Sequence, residues 1–160
     1  MRSHHSIRVI AALVLASVAQ LAHAVPAGAP QEFVVGVGGF AGPSYSVRLE
    51  DNKLYCTTGR RRDAKVVMEA QPTETEWAVL RAELDRLGVW QWKVLYPNPS
   101  GAHDGTSWYV SIKYRDAKVV SEGRNNYPDA RGEPDDSPKG SPAFRRFLAA
   151  VSKITKGCPL

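Results

Sequence analysis

The sequence predicts an α+β domain in which two helices cover one face of an antiparallel sheet of about five or six strands. Short segments of alternating apolar and polar residues are separated by turns rich in Gly, Asp, Asn and Arg, which is typical of hairpins. Two longer segments instead repeat apolar residues at helical spacing. The order is a strand meander, a helix, a hairpin and a second helix, and the two helices need a sheet face to cover.

The first half of the chain predicts the meander. An initial extended segment ends in a Gly-rich turn, and the following segments are joined by the turns "EDN" and "RRRD". The predicted strands are residues 31–40, 44–49, 53–59 and 64–70.

Capping residues mark both helices. Thr73 and Glu76 match a capping box at the start of the first helix, and Gly88 stops it. Ser141 is the predicted N-cap of the second helix, with Pro142 at its first position.

The region between the helices predicts a hairpin and a loop. Residues 89–96 alternate weakly, which is compatible with a strand, and residues 108–115 and 118–122 form the hairpin. The stretch at about 128–140 is rich in Pro, Gly and Asp and predicts a mobile loop.

The N-terminus has the pattern of a secretory signal peptide. Arg2 and Arg8 precede an apolar run at residues 9–19, and the sequence "AHA", which ends at Ala24, matches a signal-peptidase cleavage site. Cleavage after Ala24 would leave one domain, residues 25–160, which we expect to be periplasmic or secreted. The apolar run is shorter than the ~20 residues that a permanent span needs, so no membrane span is expected after cleavage.

Charge and motifs limit the choice of partners. Cleavage removes two basic side chains and leaves 19 basic and 16 acidic ones, a net charge of +3. This mild excess, without a basic helix or a recognisable binding motif, argues against nucleic acid as a partner.

The two cysteines of the chain predict a disulfide. Cys56 and Cys158 are an even pair in an exported chain, and the bond would close a loop of about 100 residues. Two thiols with no nearby His are a poor metal site, so neither a metal nor a cofactor is expected.

The hexapeptide "RDAKVV" occurs twice, at residues 62–67 and 115–120. Each copy enters a returning strand, which is compatible with an internal duplication. An alignment with a different offset competes with it, so the sequence leaves the duplication open.

The sequence contains partial matches to motifs of common enzymes, but the residues around them do not match the structural context that those motifs require. Gly36, Gly38 and Ala41 loosely match a dinucleotide fingerprint, but Pro43 and a strand follow where a helix is required. His103 lies in a loop without an assembled triad, and the predicted disulfide removes Cys56 as a nucleophile. No catalytic residue is assigned, and an enzyme ranks last among the functions.

Ligand-binding candidates come from exposed aromatic and basic side chains. Tyr109 lies on the polar face of its strand, and the arginines of "GRRRD" could bind a carboxylate or phosphate, although a solvated turn explains them as well. The segment "RNNY" either ends the hairpin or contacts a ligand. The candidates are Arg60, Arg61, Arg62, Tyr109, Arg124, Asn125, Asn126 and Tyr127.

Four stretches, "GPSYSV", "DGTSWYVSIKY", "SEGRNNYP" and "FRRFLAAV", resemble a group of small, uncharacterised, exported bacterial proteins. The resemblance covers most of the mature chain and implies an exported single domain, but it transfers no catalytic residue. We therefore expect a non-catalytic module that binds an envelope protein or, alternatively, a cell-wall glycan through exposed aromatics.

Overall fold

The structure, a computed structural model, describes residues 28–39, 42–59, 63–101 and 104–160. Within these ranges the predicted α+β class is confirmed, with two helices and a mostly antiparallel main sheet. The elements in chain order are β1 (Glu32–Gly39), β2 (Tyr45–Glu50), β3 (Lys53–Thr58), β4 (Lys65–Ala70), α1 (Glu74–Arg86), a 3-10 turn (Val89–Gln91), β5 (Leu95–Tyr96), β6 (Thr106–Lys113), β7 (Lys118–Arg124), β8 (Tyr127–Pro128), β9 (Pro134–Asp135) and α2 (Pro142–Ile154).

The main sheet has the strand order β4-β3-β2-β1-β6-β7-β5. The first four strands form the predicted meander, and β6 pairs with the free edge of β1 along its whole length, from Glu32↔Lys113 to Gly39↔Thr106. This pairing joins the two halves of the chain into one sheet. The sheet therefore has seven strands where the sequence predicted about five or six.

Two segments differ in detail from the prediction. Residues 89–96 form a 3-10 turn and the two-residue strand β5, which pairs in parallel with β7. Gly88, with φ of 64°, redirects the chain after α1, so only a short part of this segment reaches the sheet. The predicted loop at about 128–140 contains most of a small second sheet, β8 paired with β9.

Strand alternation places most of the large apolar residues of the main sheet against the helices. Phe33, Val35 and Val47 of the sheet are fully buried, as are Trp77 of α1 and Phe147 of α2. The core therefore lies in one layer between the sheet and the two helices.

Both helix starts use the predicted caps. The Thr73 hydroxyl accepts a hydrogen bond from the Glu76 backbone N–H at 3.2 Å, and the Glu76 carboxylate accepts one from the Thr73 N–H at 2.8 Å. The Ser141 hydroxyl accepts the Phe144 N–H at 2.9 Å. These bonds satisfy amide groups that a helix leaves unpaired at its first turn.

The predicted disulfide between Cys56 and Cys158 is confirmed. Cys56 lies on the helix-facing side of β3, and Cys158 lies four residues beyond the end of α2. The bond fastens the end of the chain to the sheet, inside the core.

The predicted signal peptide, residues 1–24, lies outside the described residues. In the part of the chain that the structure describes, no helix is both long and apolar enough to cross a membrane.

Candidate functional site

The sheet turns one face to the helices and the opposite face away from them. The strand registers decide which side chains share the second face, because successive side chains of a strand alternate between faces. We call this surface the open face. It comprises Val34, Gly36, Ser46, Arg48, Tyr55, Thr57, Ser107, Tyr109, Ser111, Glu122 and Arg124.

The open face forms the floor of a groove with a volume of ≈ 1150 Å³. Gly59, Ala64 and Val66 line it near β3 and β4, and the segment 95–98 lines it near the opposite edge of the sheet. Single-ligand pockets typically occupy roughly 300–1,000 Å³, so this groove has room for a ligand longer than one small molecule.

Tyr109 lies across the middle of this floor. A Cβ atom added to Gly36 would be only 2.1 Å from Cε1 and 2.3 Å from Cζ of the tyrosine, so the ring lies directly over the glycine backbone. Tyr109 is nevertheless 42 % exposed. Glycine at position 36 thus lets an aromatic ring lie on the sheet and still face solvent.

Polar groups surround this ring. Glu122 is the strand neighbour of Tyr109 on β7, and Arg124, two residues further along β7, is the neighbour of Ser107. The Arg124 Nε donates to the Ser107 hydroxyl at 3.1 Å. On the other side of Gly36, the Ser46 and Thr57 hydroxyls are 2.8 Å apart and hydrogen-bonded.

Among the described residues, no hydrogen bond or ion pair engages the terminal guanidinium nitrogens of Arg124, the Glu122 carboxylate or the Tyr109 hydroxyl. By contrast, Arg48 on the same face pairs with Glu50 at 3.2 Å. The unpartnered groups are available to bind a ligand.

Three of the candidates from the sequence, Asn125, Asn126 and Tyr127, have structural roles at the end of the β6–β7 hairpin. Asn125 has φ of 50°, and its side chain accepts from the Thr106 N–H at 2.9 Å and donates to the Asp104 carbonyl at 3.0 Å. Asn126 and Tyr127 are buried. The Asn126 side-chain amide donates to the Pro97 carbonyl at 2.9 Å, and the Asn126 backbone carbonyl accepts the Trp108 indole N–H at 2.8 Å.

Tyr109 and Arg124 are therefore the described candidates that present exposed side chains on the open face. Arg60, Arg61 and Arg62 lie outside the described residues, as does His103. Ligand binding by any of the candidates stays a prediction.

Sequence reasoning missed Gly36, Tyr55 and Glu122 as members of this surface. The predicted first strand, residues 31–40, was expected to end in a Gly-rich turn, whereas Gly36 and Gly38 are both paired within β1. A Cβ on Gly38 would lie 2.1 Å from the Ser44 hydroxyl oxygen, so this glycine also makes room for a side chain. The alternation in β7 could have indicated Glu122.

A second polar cluster lies on the helical side, where Arg81 forms ion pairs with Asp85 and Asp116. The Arg81 guanidinium packs against both the Trp90 and Tyr114 rings, at 5.0 and 4.8 Å from their centroids. It also donates to Asp85 at 2.9 Å and to both carboxylate oxygens of Asp116 at 2.8 and 3.0 Å. These bonds raise the pKa of Arg81, and its hydrogen bonds lower the pKa of Asp116. The cluster joins α1 to the β6–β7 turn, and its charged side chains bind one another.

Among the described residues, no group of three or more His, Cys, Asp or Glu side chains is placed to hold a metal ion. In comparisons with known proteins, no family model matches the chain and no curated protein is significantly similar to it.

Proposed function

We propose that this chain is an exported, non-catalytic domain that binds carbohydrate on the open face of its sheet. The observation that carries the proposal is the Tyr109 ring, which lies over Gly36 with its exposed surface in the groove. An aromatic ring held in this way offers an apolar platform for the C–H face of a sugar ring, and the polar groups beside it can bind the hydroxyls.

The disulfide supports the exported location. Cys56 and Cys158 are joined in the core, and structural disulfides persist in oxidising compartments. Together with the signal-peptide pattern, this favours the periplasm or the exterior of the cell. N-terminal sequencing of the protein recovered from its source should give a chain that begins at Val25.

A protein partner is the second candidate, and the sequence alone ranked it first. Tyr and Arg side chains dominate protein interfaces, and Tyr109 and Arg124 are exposed close together. The centre of a protein interface, however, is depleted of charged residues. Here Glu122 and Arg124 stand beside the ring without intramolecular partners, which suits hydroxyl-rich ligands better.

The test is oligosaccharide binding measured by calorimetry, with neutral and acidic oligosaccharides and purified cell-wall polysaccharide as probes. Tyr109→Leu removes the aromatic ring while keeping an apolar cover over Gly36, and Tyr109→Phe keeps the ring. We expect Tyr109→Leu to weaken binding at least about tenfold, which is about 1.4 kcal/mol, and Tyr109→Phe to lose much less.

Gly36→Ala offers an independent test of the ring position. The new methyl group would collide with the tyrosine ring, which can swing away because it is the end of a side chain. We expect weaker sugar binding with little change in stability. Val79→Ala, an exposed change on α1, is the control and should bind normally.

Two results would overturn the proposal. One is that no oligosaccharide or cell-wall polysaccharide binds the oxidised protein. The other is that saccharides bind but Tyr109→Leu and Gly36→Ala bind as tightly as the wild type. A solubilised envelope protein that binds the wild type but not Arg124→Gln would establish the second candidate instead.

A further inference from the structure

We infer that the carbohydrate bound on the open face carries carboxylate groups, and that Arg124 is the residue that recognises them. This inference rests on the proposed function and names the ligand class. Its basis is the way in which Arg124 is held at one end of the groove.

The Arg124 guanidinium is oriented by a single bond that uses only one of its nitrogens. Its Nε donates to the Ser107 hydroxyl at 3.1 Å, which fixes the plane of the fork relative to β6. The two terminal nitrogens together carry four N–H donors, and they have no hydrogen-bond or ion-pair partner among the described residues. A planar fork with free donors matches a carboxylate, which it can bind through two parallel hydrogen bonds.

Most other arginines of the described chain already have partners, and the two that form no ion pair or hydrogen bond, Arg115 and Arg146, do not line the groove. Arg81 is bidentate to Asp116, and Arg86 pairs with Glu83. Arg48, the other arginine of the groove, pairs with Glu50. Arg124 is therefore the cation in the groove that lacks a carboxylate, and a ligand can supply one.

The side chains around Arg124 suit a ligand that places one carboxylate at Arg124 and neutral hydroxyl groups beside it. The other polar side chains that line this end of the groove are neutral: Ser44, Asn98 and Ser107. Glu122, the nearest acidic residue of β7, is two positions back along the strand, which is about 7 Å in an extended chain. A ligand carboxylate at Arg124 can thus avoid Glu122, which remains free to accept hydrogen bonds from hydroxyls.

The same spacing connects Arg124 to the aromatic platform. Tyr109 pairs with Glu122, and Ser107 pairs with Arg124. These are successive cross-strand pairs on the same face of the sheet, so the Tyr109 ring and the Arg124 guanidinium belong to neighbouring pairs. A sugar ring on Tyr109 would place its own substituents, or those of the next residue, within reach of Arg124. This juxtaposition favours a chain of uronic acid residues over a neutral glycan.

The experiment compares two probes that share one backbone. Oligogalacturonate carries a carboxylate on each residue, and its fully methyl-esterified form is neutral. Titration calorimetry of the oxidised mature protein should give an affinity for the acid at least about tenfold higher than for the ester, because charge-assisted hydrogen bonds are lost in the ester. The preference should shrink as the ionic strength rises.

Substitutions assign the preference to the side chain. In Arg124→Gln the affinity for the acid should fall about tenfold or more, while the affinity for the ester stays within about twofold. Arg124→Lys keeps the charge but lacks the fork, and it should restore only part of the preference. Arg146→Gln, an exposed arginine on α2, is the matched control and should leave both affinities unchanged.

The outcomes separate this inference from the proposed function. Equal binding of acid and ester, weakened in both by Tyr109→Leu, would overturn the inference and leave carbohydrate binding intact. The inference also fails if Arg124→Gln keeps the preference for the acid, or if dextran sulfate oligomers bind as tightly as oligogalacturonate. Failure of every saccharide to bind would overturn the inference and the proposed function together.

Discussion

Reduction of the disulfide should remove a large part of the stability of this domain. Cys56 and Cys158 are 102 residues apart in sequence, and both are buried in the core. Because they are buried, a reductant should reach them mainly in the unfolded chain. The reduced protein is therefore best prepared in denaturant and refolded in the presence of reductant.

The magnitude follows from the length of the closed loop. In the chain-entropy account, a cross-link over about 100 residues lowers the entropy of the unfolded chain enough to contribute about 4–5 kcal/mol to folding. Domains of this size have a free energy of unfolding of about 5–15 kcal/mol. Loss of the disulfide would thus remove from about a third to nearly all of this free energy of unfolding, although the apolar face of α2 would still be buried.

The measurement is urea unfolding of the oxidised and reduced proteins, followed by tryptophan fluorescence. We expect the free energy of unfolding to fall by about 4–5 kcal/mol on reduction. The dependence on urea should become steeper, since the unfolded chain without the cross-link exposes more surface. Cys56→Ala/Cys158→Ala is the control, because its stability should not respond to reductant. A loss below about 1 kcal/mol on reduction would refute the loop-entropy reasoning.

Three further predictions concern polar groups of the helical layer. Arg81→Met should lower the free energy of unfolding, measured by urea titration, by about 1–3 kcal/mol. The substitution removes the contacts with the Trp90 and Tyr114 rings and the bidentate pair with Asp116. Unchanged stability would contradict this prediction. Burial raises the pKa of Tyr114 to about 12, and its hydroxyl has no hydrogen-bond partner among the described residues. Tyr114→Phe should therefore be neutral or slightly stabilising, and the late ionisation step should vanish from the ultraviolet titration. The Lys156 ammonium and the Thr73 N–H lower the pKa of Glu76 to about 2. Ionised Glu76 therefore stabilises the fold above pH 4.5, and this contribution is lost as the pH falls toward 2. Glu76→Gln should flatten the melting temperature over that range, and a profile identical to that of the wild type would show that the pair contributes nothing.

Local patterns predicted most of the fold because the signals were local. Thr73 with Glu76 and Ser141 with Pro142 predicted both helix starts, since a cap acts within one turn. Residues 89–96 were harder, because a weak alternation does not distinguish a strand from a turn with buried aromatic side chains. There the packing of Trp92 and Tyr96 in the core decides the conformation, and it depends on distant elements.

The open face shows where local reasoning stops. Alternation alone predicted that Tyr109 lies on the polar side of its strand, but it did not predict what lies beneath the ring. That depends on the pairing of β1 with β6, which sets Gly36 beside Tyr109 although 73 residues separate them in sequence. An alanine at 36 would fit a β-strand equally well and would displace the ring. The choice of glycine there is therefore explained by the side chain on the neighbouring strand, and sugar binding by Gly36→Ala tests whether that side chain is held in place for a ligand.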